Sequence, residues 1–103
     1  MTAKNIYVAM YRALDCLYDE DPFEELGEFL SEANPYLFQD RHAADPAIQK
    51  EFDEFVRGDL NMADAYECVK QYLAKKTQFH DTFSDITLEE WTDLCNIVDQ
   101  EEQ

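Results

Sequence analysis

The chain has 103 residues and carries 24 Asp and Glu against 8 Lys and Arg, a formal net charge of −16 at pH 7. An acidic disordered segment is poor in apolar residues, yet 46% of this chain is hydrophobic and 14% aromatic, so the composition excludes a disordered tail and calls for a folded core with its charge outside. Repulsion from phosphates and anionic headgroups argues against direct binding to nucleic acid or membrane, whereas a basic protein is attracted as a partner.

Residues 1–103 read as a single acidic helical domain of ordinary size. Only two Gly and three Pro occur, which argues against a turn-rich β fold and for long helices. No apolar run reaches the length of a membrane span, and the stretch from Met1 to Asn5 lacks the apolar centre of a signal peptide. The three cysteines, Cys16, Cys68 and Cys95, are an odd set and a poor basis for a disulfide framework. All three fall inside apolar helical patterns and are expected to be buried free thiols. That usage points to a reducing compartment, the cytoplasm.

In chain order, the first helix is predicted over Thr2 to Tyr18, with Thr2 as N-cap. Ile6, Met10, Ala13, Leu14 and Leu17 recur at helical spacing and form its core stripe. Tyr7, Tyr11 and Tyr18 flank the stripe, with hydroxyls expected to reach water. Asp21 before Pro22 reads as the N-cap and first residue of a second helix, whose Glu24 and Glu25 complement its positive end. Phe23, Leu26, Phe29, Leu30 and Ala33 are its apolar face, and it must stop before Pro35. Gly27 inside that helix serves either a close helix approach or an indifferent surface.

The stretch from Asn34 to Asp45 is irregular, and Tyr36, Leu37 and Phe38 within it cannot all point inward. Asp45-Pro46 opens the third helix, with Ile48, Phe52, Phe55 and Val56 as its stripe and Gly58 as a left-handed terminator. Asn61 caps the fourth helix. Its inward residues are Met62, Ala65, Tyr66, Val69, Tyr72 and Leu73, and it extends to about Phe79. Thr87 and Glu90 make a capping box for the fifth helix, which buries Leu88, Trp91, Leu94, Cys95 and Val98. No alternating pattern suggests a strand. The fold class is all-α, a single-domain bundle of about five short helices, orthogonal or up-down, with no sheet.

Motifs for chemistry are weak. Asp19-Glu20-Asp21 and Asp59-Leu60-Asn61 each begin like a calcium loop but lack the central Gly and the twelfth-position Glu. His42 and His80 stand in no zinc or di-iron pattern, no Gly-rich phosphate loop occurs, and no cofactor or metal is expected. An enzyme would have to be built on Asp40, Arg41 and His42. The plainer reading makes these an ordinary loop, with Asp45 capping the next helix, and the protein not an enzyme.

Charge placement carries more. Asp15, Asp19, Glu20, Asp21, Glu24, Glu25, Glu28 and Glu32 follow one another with no base between Arg12 and Arg41. A second run, Asp81, Asp85, Glu89, Glu90, Asp93, Asp99, Glu101 and Glu102, also contains no base. The expectation is a non-enzymatic protein that contacts a basic partner, with Glu24, Glu25, Glu28, Tyr36 and Phe38 as the contact residues. The alternative within binding is a charge mimic that inhibits a nucleic-acid-binding protein.

Self-repulsion among so many like charges destabilises the compact state, and salt screens it. The melting temperature should therefore rise when about 0.5 M sodium chloride is added to a low-salt buffer. A flat or falling value across a salt series would show that repulsion does not limit stability.

Overall fold

Helix signals with few breakers produce helices: a computed structural model contains α1 (Ala3–Glu20), α2 (Glu24–Ala33), α3 (Pro46–Phe55), α4 (Met62–Lys76) and α5 (Leu88–Glu101), with no strand among the described residues. The structure describes residues 1–35, 46–56, 58–76 and 83–101. The expectations placed on Tyr36, Phe38, Asp40, Arg41, His42, Asp45, Phe79 and His80 lie outside them. Each helix packs on its neighbour in sequence, α1 also meets α3, and α5 returns to pack on α1. The result is a closed ring of helices, the all-α bundle that the periodicity predicted.

The helix ends follow local chemistry. Thr2 accepts the Asn5 N–H and caps α1. The Asn61 side chain accepts the Asp64 N–H at 2.8 Å at the start of α4. Thr87 and Glu90 exchange both bonds of a capping box before α5, at 3.1 and 3.2 Å. Gly58 has φ of 75°, the left-handed conformation that costs a residue without Cβ nothing.

One start signal is misplaced. Asp21 does not cap α2; its N–H donates to the Leu17 carbonyl and closes α1. Pro22 disfavours helix at the residue before it, and Phe23 remains extended, so α2 begins at Glu24 without a side-chain cap.

The core of α1 is wider than its predicted stripe. Five consecutive residues, Ile6 to Met10, are buried, as are Ala13, Leu14 and Leu17. Tyr7 is therefore not a margin residue with a wet hydroxyl: it is 0% exposed, and its hydroxyl donates to the Ala33 carbonyl at the end of α2. A helix covered on all sides in its first half is the central element of a small bundle.

Two aromatic groups join the ring of helices. Tyr7 and Tyr72 each meet Phe52 edge-on, both with ring centroids 5.1 Å apart, linking α1, α3 and α4. Tyr66, Phe83 and Trp91 form the second group, with centroids 5.6 to 6.1 Å apart. There the Tyr66 hydroxyl donates to the Ile86 carbonyl and the Trp91 indole N–H to the Met62 carbonyl at 3.0 Å. Phe83 fills the space over Tyr66 and Trp91, and Leu88, expected inside, is 45% exposed on the open first turn of α5.

Gly27 serves a close approach: a Cβ there would lie 3.1 Å from the Tyr18 ring, inside ordinary contact. The last turns of α1 thus lie directly against α2. No polar or charged residue is buried among the described residues.

Tyr7 and Tyr72 flank the same ring but differ in their hydroxyls. Tyr7 satisfies the Ala33 carbonyl, whereas the buried Tyr72 hydroxyl has no hydrogen-bond partner among the described residues. Tyr7→Phe should cost about 1–3 kcal/mol by leaving a buried carbonyl unpaired, while Tyr72→Phe should be neutral or stabilising by about 1 kcal/mol. Denaturant titration of the two variants side by side tests the difference; equal losses would contradict it.

Candidate functional site

The acids of the first run sit where α1 ends and α2 begins. On α1, Ala13, Leu14 and Leu17 turn inward; Asp15 and Asp19 are exposed on the opposite side, and Glu20 is exposed in the last turn, on the side of Ala13 and Leu17. On α2, Leu26, Phe29, Leu30 and Ala33 are buried, which leaves Glu24, Glu25 and Glu28 exposed, as their helical phase predicts. Contact of Tyr18 with Gly27 sets these two groups side by side. Tyr36 and Phe38, assigned to the same contact surface, lie outside the described residues.

Part of the second acidic run, Asp85 and Glu90, is brought to Glu20 at the end of the first by tertiary packing. α5 lies along α1, held by the Asn5 amide donating to Asp99 at 2.8 Å and by an ion pair between Arg12 and Glu101. Between the two helices runs a groove of about 280 Å³, lined by Ala13, Cys16, Leu17, Glu20, Asp85, Ile86, Glu90 and Leu94. Acids from both runs, Glu20 from the first and Asp85 and Glu90 from the second, rim one apolar floor. No base is among the described residues that line it. Sequence periodicity leaves the two runs unrelated, because nothing local records that α5 packs on α1.

Cys16 opens on this groove and is exposed, against the expectation of burial; Cys68 is half-buried and Cys95 buried. The reason is helical phase. Cys16 lies roughly 110° round α1 from the centre of the Met10, Ala13, Leu14 and Leu17 stripe, at 100° per residue. Burial raises the Cys16 thiol above its ordinary value, and Asp15, Asp19 and Glu20 raise it further by disfavouring a second negative charge. Burial also raises Cys68, and together with Asp99 it pushes Cys95 up to about 12.

A second cleft, about 410 Å³, lies between α3 and α4 and is lined by Glu51, Glu54, Phe55, Tyr72 and Lys75. Burial first, and then the Glu51 charge, raise the Tyr72 phenol, which therefore stays protonated at neutral pH. Among the described residues, the lining mixes acids with a lysine and shows no nucleophile paired to a base. Among the described residues, no group of three or more His, Cys, Asp or Glu is placed to hold a metal ion. No helix of the described residues is long and apolar enough to cross a membrane.

Comparison with known proteins returns no matching family, no similar curated protein and no similar solved structure. The surface itself, an acidic margin around an apolar groove, is what bears on function.

The thiols report this geometry in solution. A thiolate is the reactive form, so a raised pKa lowers its fraction at a given pH. Cys16 should react first, more slowly at pH 7 than a free cysteine, and faster as pH or salt rises. Cys95 should react only on unfolding. Labelling by a thiol reagent read by mass spectrometry checks the order; Cys95 modified before Cys16 would contradict the assigned helix phases.

Proposed function

We propose that this chain acts by protein–protein contact, presenting an acidic surface to a basic partner, without catalysis. The observation that supports it is convergence: acids distant in sequence, Glu20 from the first run and Asp85 and Glu90 from the second, meet beside α1 around a groove with an apolar floor. Dispersed acids would serve solubility alone. Acids gathered around apolar surface match the arrangement of a protein contact, in which an apolar centre supplies affinity and a charged margin steers the approach.

Charges at the margin act mainly on the association rate. Replacing Glu24, Glu25 and Glu28 together by Gln should leave the fold and helicity intact, since all three are exposed. It should reduce the recovery of basic proteins from lysate and weaken the salt dependence of that recovery. Phe29→Ala or Leu30→Ala, at positions 7% and 6% exposed, should instead destabilise the fold by about 2–5 kcal/mol. Pull-downs with wild type and the triple Gln variant, at low and moderate salt, decide the matter. Equal recovery of the same proteins by both would leave the acidic face with a solubilising role only.

A further inference from the structure

We propose that the groove between α1 and α5 anchors this contact, and that its occupant is a basic amphipathic helix of another protein, seated by one large apolar side chain flanked by Lys or Arg. The inference rests on the acidic-surface reading above and adds to it a place and a partner chemistry.

Size is the first argument. Pockets for small molecules enclose roughly 300–1,000 Å³, and this groove holds about 280 Å³, room for a large side chain rather than a whole metabolite. Its floor is Ala13, Leu17, Ile86 and Leu94, which offers an apolar anchor no hydrogen bond to satisfy. Helices that dock in such grooves do so through spaced apolar anchors on one face.

Charge selects the occupant. Glu20 stands on the α1 side, and Asp85 and Glu90 on the other; Glu90 is held in place by its capping bond from the Thr87 N–H. Asp15, Asp19, Glu89 and Asp93 are exposed nearby in sequence on the same two helices or their approach. Burial is the main cause of the raised Cys16 thiol at the groove mouth; Asp15, Asp19 and Glu20 add to it, and Arg12 opposes them. Nucleic acid and anionic lipid bring phosphates to a groove lined by no base among the described residues, with the neighbouring Arg12 paired to Glu101. A second copy of the chain would bring another −16 of formal charge to the contact. A helix with Lys or Arg beside its apolar face neutralises the rim while it fills the floor.

The test uses two dye-labelled synthetic peptides of Lys, Ala and Leu with the same composition, one amphipathic as a helix and the other with its leucines scattered. Affinities by fluorescence anisotropy are compared for wild type, Leu94→Lys, Cys16→Arg, and Ser31→Lys as a control for added charge on the exposed side of α2. Circular dichroism establishes that each variant is folded, and two groove variants are included so that one can fail to fold. The amphipathic peptide should bind wild type about tenfold tighter than its isomer, a difference of about 1.4 kcal/mol. Either groove variant should weaken it about tenfold, and Ser31→Lys by less than about threefold. Equal binding of the two peptides, or equal weakening by Leu94→Lys and Ser31→Lys, overturns the groove while leaving the acidic-surface reading in place. No binding of either peptide at low salt overturns both.

Discussion

Phe52 is the residue on which the rest of the packing depends. Its ring meets Tyr7 of α1 and Tyr72 of α4 edge-on, both with centroids at 5.1 Å, so one side chain of α3 ties three helices together. Edge-on contacts of this kind contribute about 0.5–1.5 kcal/mol beyond the area they bury. Tyr7 extends the connection by donating to the Ala33 carbonyl, which fixes the end of α2 against the buried half of α1. The position of α1 is then determined from three sides, and the free side is the one α5 covers.

The second aromatic group determines how α5 covers it. Trp91 is fully buried against Tyr66 and Phe83, and its indole N–H reaches back to the Met62 carbonyl at the start of α4. Tyr66 in turn holds the Ile86 carbonyl, which places the turn before α5. With Trp91, Cys95 and Val98 inside, Glu90 and Leu94 fall beside α1 at the groove. The same hydrogen bonds that satisfy buried aromatic groups therefore set the separation between Glu20 and the acids of the second run. The apolar core and the acidic groove are two sides of one packing arrangement.

Keeping charge outside is the other constraint. An isolated buried carboxylate is far costlier than an exposed one, and none of the described acids is buried. Mutual repulsion among exposed acids is a weaker penalty, spread over the surface and screened by salt. A core closed by two aromatic groups tolerates that repulsion, and the basic partner proposed above would relieve it on binding. Association and stability are linked in this way, because anything that binds the native state alone also stabilises it.

What the sequence alone determined is what neighbours along the chain decide. Thr2, Asn61 and the Thr87–Glu90 pair cap their helices because a side-chain oxygen two or three residues from an open N–H needs no tertiary help. Gly58 turns left-handed for want of a Cβ. The exposure of Glu24, Glu25 and Glu28 follows from the phase of a single helix. Tertiary structure decided whatever depends on a partner helix. Asp21 ended α1 rather than starting α2, Tyr7 faced a carbonyl rather than water, Leu88 was left outside, and Cys16 opened on a groove whose other wall comes from α5. Periodicity tells which side of a helix is apolar, but the number of helices packed around it sets how wide that side must be. For the same reason each acidic run was visible as a string of residues, and their meeting over one apolar floor was not: it arises from contact between the first helix and the last.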